Sequence, residues 1–245
     1  MMCDITSNCN LRCPFCVNDW GQVRGNINMS KEKFSELLVE ASRPEVEREG
    51  FFISCAFEPT LHPDLGELLE MIPVELKHKA FFSTNLSLHL SDDWIRQIST
   101  ANINHVNVSL ESLQPELYET LRRGAKYEVF ADNLHRLSEA FKSQTGGPRL
   151  RFITMLLRQN VGELRELVTS CRDWFNAEAH EVRTPFQFSL GLMTQEFQDE
   201  SILSHDEAQR VKRELRDLPI IWHISERNGS PPDVRVEADG KGLLE

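Results

Sequence analysis

The feature that most limits the fold of this chain is an alternation. Short apolar, β-rich runs are separated repeatedly by segments whose apolar residues recur with helical period. That is the pattern of βα units wound around a parallel sheet, each helix covering a sheet face. The expected strands are Met1 to Thr6, Phe51 to Cys55, Ala80 to Ser83, His105 to Leu110, Leu150 to Leu156 and Glu181 to Phe188. Between them, Leu65, Leu68, Leu69 and Ile72 stand at i, i+3, i+4 and i+7, and Phe130, Leu134, Leu137 and Phe141 form a stripe that Thr145-Gly146-Gly147-Pro148 breaks. Ser30 and Ser91 read as N-caps of further helices, and Asn160 with Glu163 and Ser204 with Glu207 read as capping boxes. A last apolar run, Ile220 to Ile224, can add a strand before the loop-forming Asn228-Gly229-Ser230-Pro231-Pro232.

A chain of 245 residues is long enough for one large α/β domain. Its 27 basic and 38 acidic side chains give a net charge of −11 with no basic block, which disfavours a large nucleic-acid footprint. The opening Met1-Met2-Cys3-Asp4 lacks the regions of a signal peptide, and no apolar run reaches membrane-spanning length, so a cytoplasmic protein is expected. Six cysteines are present, three of them crowded between Cys9 and Cys16. That layout favours metal binding in a reducing compartment over disulfides, and Cys171, on an apolar helical stripe, reads as core.

The crowded stretch is Cys9-Asn10-Leu11-Arg12-Cys13-Pro14-Phe15-Cys16, a C-x3-C-x2-C spacing directly after the first expected strand. A short loop of this kind can wrap three thiolates around an iron-sulfur cubane and leave one iron without a protein ligand. An open position is what a metal centre needs to bind and activate another molecule. A structural zinc site is the alternative, with a fourth ligand recruited from Cys3, Cys55 or Cys171.

The motif, its place after the first strand and the repeated βα units together resemble the radical S-adenosylmethionine (SAM) superfamily. The resemblance implies a partial (β/α)6 TIM-type barrel over residues 1–190, with residues 191–245 as a helical and strand extension packed on it. It also implies a [4Fe-4S] cluster on Cys9, Cys13 and Cys16, and SAM chelated to the open iron. An electron donor such as flavodoxin or ferredoxin and a peptide or small-molecule substrate complete the set. Phe15 takes the position of an aromatic residue near the adenine. Ala56-Phe57-Glu58-Pro59 is similar to the family's Gly-Gly-Glu-Pro segment with both glycines replaced, and Glu58 matches the acid that binds the SAM ammonium group. Asn85, at the end of the third strand, matches a ribose contact, and Ser109, at the end of the fourth, a ribose or carboxylate contact. Arg122-Arg123-Gly124 resembles an Arg-Gly element, with Arg123 reaching the SAM carboxylate. Met155 and Arg183 line the remainder of the pocket.

All these residues fall at the C-terminal ends of expected strands, where active sites of (β/α) barrels assemble. The substrate is left open: modification of a peptide or metabolite, activation of a partner protein by a glycyl radical, and a non-catalytic zinc or iron-sulfur module are the competing readings. Trp20 and Arg24 read as packing residues of the loop after the cysteines, and His62 as a cap or packing residue. No cysteine follows Cys171, so this sequence offers no second cysteine-rich cluster.

Overall fold

A computed structural model describes residues 1–16, 27–44, 50–54, 56–144, 146–185 and 193–225. Trp20, Arg24, Cys55 and the Asn228 to Pro232 loop lie outside the described residues. Seven parallel strands pair in the order of the sequence: β1 (Met2–Cys3), β2 (Phe51–Ile53), β3 (Ala80–Thr84), β4 (His105–Ser109), β5 (Arg149–Met155), β6 (Ala179–Arg183) and β7 (Ile220–His223). The sheet is open, with β1 at one edge and β7 at the other, which is the expected partial barrel with one strand more than six. β7 pairs in parallel with β6, so the chain after residue 193 returns to the same sheet. The first strand is shorter than Met1 to Thr6, because Thr6 leaves it for an isolated antiparallel bridge to Asn28. The sixth begins two residues earlier than expected and ends at Arg183, with 186–188 outside the described residues.

Nine helices are described: α1 (Lys31–Ala41), α2 (Leu65–Met71), α3 (Val74–Lys77), α4 (Asp92–Thr100), α5 (Pro115–Leu121), α6 (Tyr127–Ser143), α7 (Leu164–Phe175), α8 (Gln195–Ser201) and α9 (His205–Glu214). Local chemistry starts several of them. Ser30 accepts the Lys33 N–H at 3.2 Å, Ser91 the Trp94 N–H at 3.2 Å, and Ser204 with Glu207 forms the reciprocal capping box. Asn160 does not cap α7, and a 3-10 turn over Val161–Glu163 intervenes. The buried Asn160 amide instead donates to the carbonyls of Glu111 (3.0 Å) and Met155 (2.9 Å), while its oxygen accepts the Leu157 N–H. The oxygen a cap would use is thus taken by the Leu157 N–H, while the NH2 group ties two strand ends together.

The helices cover one face of the sheet. Strand residues on that face, Phe82, Val106, Val108, Leu150, Phe152 and Val182, are buried against helix stripes that include Leu68, Ile98, Leu134 and Leu167. Cys171 is fully buried among them, as expected of a core residue. The opposite strand face is less tightly covered: Ser83, Ser109, Ile153, Met155, Glu181 and Arg183 are half-buried, and Ile221 and His223 are exposed. This uneven coverage leaves one face of the sheet and the C-terminal ends of its strands available to a ligand.

Candidate active site

The three motif cysteines leave β1 on a loop that the rest of the fold grips through its backbone. Arg12 donates its N–H to the Arg123 carbonyl at 2.8 Å, and Cys16 donates to the Cys13 carbonyl at 3.0 Å. Gly124, with φ at +96°, lies beneath the same loop, where a Cβ would stand 3.3 Å from the Asn10 carbonyl. Glycine is needed there for both the left-handed backbone and the close approach. The Arg-Arg-Gly segment therefore first serves as a backbone buttress.

Cys13 and Phe15 are buried, while Cys9 and Cys16 are half-buried. Burial pushes the Cys9 thiol up to about 11 and the Cys13 thiol up to about 12, with the Cys16 sulfur contributing to both and the Cys9 sulfur to Cys13. Burial thus favours the protonated form of Cys9 and Cys13, and a metal that binds there displaces those protons. Among the described residues no three His, Cys, Asp or Glu side chains converge on a point suited to one metal ion. A cubane makes a different demand, since each thiolate takes its own iron and the sulfurs stand farther apart than around a single ion. Three thiols on one short loop, close enough to influence one another electrostatically, supply the donor set that such a cluster takes.

Two N–H donors face this set. Asn85 Nδ2 lies 3.9 Å from Cys9 Sγ and donates to Asn10 Oδ1 at 3.0 Å. Arg122 Nη1 lies 3.9 Å from Cys13 Sγ. Arg122 is buried, its guanidinium 5.6 Å above the Phe15 ring, and its Nε and Nη2 both pair with the buried carboxylate of Glu111, Nη2 at 2.8 Å. Burial opposes the charge on Arg122, but Glu111 and the Cys13 sulfur outweigh it and hold the guanidinium protonated. Of the two adjacent arginines, Arg122 thus points inward, whereas Arg123 is exposed and meets the loop through its carbonyl.

Glu58 is 2 % exposed at the mouth of β2. Its Oε1 accepts from the Thr60 N–H (3.2 Å), Thr60 Oγ1 (2.7 Å) and Thr84 Oγ1 (2.7 Å), and its Oε2 accepts from the Asn85 N–H at 2.7 Å. Burial pushes its carboxyl above the usual range, against these hydrogen bonds. The replaced glycines cause no strain. In this segment the left-handed backbone falls on Ser54 (φ 73°), and Asp4 Oδ1 accepts the N–H groups of Ala56 (3.0 Å) and Phe57 (3.3 Å).

The remaining expected residues lie farther along the sheet. Ser109 ends β4 and Met155 ends β5, its N–H 3.4 Å from Glu111 Oε1. Arg183 ends β6 and pairs through Nε with Glu181 at 3.0 Å; His223 Nε2 stands 3.5 Å from the same carboxylate oxygen. His62 is a buried tie, accepting the Asp64 N–H at Nδ1 and donating from Nε2 to the Met29 carbonyl at 2.9 Å. The structure thus gathers Cys9, Cys13, Cys16, Phe15, Glu58 and Asn85 at one end, sets Ser109, Met155 and Arg183 along the strand ends beside them, and turns Arg123 outward. Sequence reasoning missed Arg122, Glu111 and Asn10. A signal for the first two existed in a carboxylate and an arginine flanking one short helix, although their pairing depends on the fold.

An open parallel barrel carrying a three-thiol loop after its first strand defines a class of metal-cofactor proteins. Residues 4–171 match the family described as the Radical SAM superfamily, and the chain belongs to that family. Its members use a [4Fe-4S] cluster and SAM. The chain is 26% identical over 170 residues to a probable GTP 3′,8-cyclase of Methanococcus aeolicus, covering 69% of this chain and 54% of that one. It is 25% identical over 169 residues to a probable GTP 3′,8-cyclase of Methanocaldococcus jannaschii, with 69% and 53% covered. It therefore spans about half the length of these curated relatives. Among solved structures, Streptococcus suis SuiB bound to S-adenosylmethionine superposes with a TM-score of 0.66 at 17% identity, covering 91% of this chain and 50% of that one. That likeness supports the open barrel fold. No helix among the described residues is long and apolar enough to cross a membrane.

Proposed function

We propose that this chain is a radical SAM enzyme in which Cys9, Cys13 and Cys16 hold the cluster and Glu58, Asn85, Ser109 and Met155 shape the SAM site. The observation that carries the reading is the meeting of three thiols, a buried cation and a buried acid at the C-terminal end of an open parallel sheet. Held by Cys9, Cys13 and Cys16, such a cluster would supply the one electron needed for reductive cleavage of SAM to methionine and a 5′-deoxyadenosyl group able to take a hydrogen atom from substrate.

The chain's own residues bind and orient. Oε1 of Glu58 is saturated by three donors while Oε2 holds one, so Oε2 is the oxygen with capacity left for the SAM ammonium group. Asn85 stands between Glu58 and Cys9, its backbone N–H on the first and its side-chain amide facing the second, and ties the two parts of the site together. Phe15 keeps water from the cysteine loop. Arg183, Glu181 and His223 offer a polar seat at the β6–β7 side for a peptide or small-molecule substrate. An electron donor such as flavodoxin or ferredoxin in the cytoplasm would serve the site. The match to the Methanococcus aeolicus relative covers 69% of this chain and 54% of that relative, and a shared fold carries little information about substrate.

Anaerobic reconstitution with iron and sulfide, followed by dithionite and SAM, tests the reading. Chromatography should show 5′-deoxyadenosine and methionine in equal amounts, and neither from a Cys13→Ala variant. Stoichiometric zinc with no SAM cleavage would contradict it. A mass change in a peptide or metabolite identifies direct modification, whereas a radical on an added protein identifies activation of a partner.

A further inference from the structure

Arg122 has a side chain already divided between two tasks. Its Nε and Nη2 are taken by Glu111 in a side-on pair, and its Nη1 faces Cys13 Sγ at 3.9 Å. A guanidinium recognises a free carboxylate best through two parallel N–H groups. On Arg122 that fork is occupied by a buried carboxylate of this same chain. Glu111 is itself fixed, since Met155 donates to its Oε1 and Asn160 holds its carbonyl. The whole arrangement is packed: Glu111 is 1 % exposed, Arg122 9 %, and Tyr118 beside them is fully buried.

Hydrogen bonds and charges near cluster sulfurs set the reduction potential of an iron-sulfur centre, and burial strengthens their effect. A cation favours the electron-rich state and a carboxylate opposes it. We infer that Arg122 and Glu111 form a paired device that acts on the cluster through Cys13 and sets its reduction potential, and that Arg122 does not hold the SAM carboxylate. The inference rests on the cluster assignment of the proposed function. Arg122 is a positioning residue in this scheme, acting through a cluster ligand rather than on substrate.

Two variants displace the potential in opposite directions. Arg122→Gln removes the cation and lowers it; Glu111→Gln keeps the shape of the counter-ion, removes its charge and raises it. The measurement is an EPR-monitored redox titration of the reconstituted full chain without SAM, with dithionite as the one-electron donor. At a fixed potential the reduced-to-oxidised ratio should fall about tenfold in Arg122→Gln and rise by a similar factor in Glu111→Gln, each about 59 mV for one electron. SAM affinity for the oxidised protein should change less than about threefold in both.

Unmoved potentials in loaded variants overturn the inference, as does a SAM affinity that falls more than about tenfold in Arg122→Gln while its potential stays put. Should Arg122→Gln fail to fold or load, Glu111→Gln decides alone: an upward displacement supports the inference and none overturns it. Wild-type protein that takes up no iron and sulfide removes the proposed function and this inference together. Loaded wild type with unmoved variants removes only the latter.

Discussion

Glu58 carries three donors on one carboxylate oxygen and one on the other, in a place that burial makes costly for a charge. A cation arriving at Oε2 relieves that cost, so Glu58→Gln should weaken SAM binding by roughly ten- to a hundredfold, the worth of one charge-assisted hydrogen bond. Equilibrium binding to the reconstituted protein checks this. Cys171 stands in contrast, buried in the core with a thiol that burial alone pushes up. Cys171→Ala should cost on the order of 1 kcal/mol of stability and leave iron content unchanged. Loss of iron in that variant would revive a site that recruits a distant fourth thiolate.

His180 makes a pH prediction of its own. It is buried on β6, hydrogen-bonded through Nε2 to Thr154 Oγ1 at 2.8 Å, and burial pushes it down to about 3. Between about 6.5 and 3 the unfolded chain binds a proton at this histidine that the folded chain refuses. Stability should therefore be complete above about pH 6.5 and fall as pH drops through that window, by up to about 1.4 kcal/mol per pH unit. Urea melts at a series of pH values should show a shallower slope for His180→Gln. At this scale the three cysteines could be nominated because their spacing is local, and Glu58 because its segment resembles a family motif. The inward arginine was not, since Arg122 and Arg123 are adjacent and only the turn after α5 decides which one faces Cys13.

The cysteine loop is held as an element by Gly124 below it and by the segment after β3 beside it. Asn133 on α6 pins that segment, donating to the carbonyls of Leu86 (2.9 Å) and Leu88 (2.5 Å), and Leu86 adopts a left-handed backbone (φ 50°) under this restraint. Gly124→Ala should lose about 1–2 kcal/mol to its backbone alone, plus the contact with the Asn10 carbonyl. Gly146→Ala supplies the control, having a left-handed φ of +79° and nothing within 4 Å of the added Cβ. Thermal melts should place Gly124→Ala below Gly146→Ala, and equal losses would show that the loop does not rest on Gly124. Helix starts set by a neighbouring serine, as at Ser30, Ser91 and Ser204, were readable because donor and acceptor lie within three residues. Asn160 was not, because Glu111, which it ties to the end of β5, is a neighbour only in the folded chain.

Across the whole molecule, the alternation of β runs and helical stripes foretold a parallel sheet because each βα unit must bury one helix face on one strand face. The strand order followed from that rule, and β7 extends the same sheet beyond the six expected units. The site gathers at the open strand ends, and its chemistry depends on what the three thiols there hold in common. Iron and sulfide analysis of the anaerobically reconstituted protein, joined to EPR of its reduced form, tests it most directly. About four irons and four sulfides per chain are expected, with a reduced signal that changes on adding SAM and is absent from Cys13→Ala. A chain that binds no sulfide, or whose reduced signal is indifferent to SAM, would contradict the account.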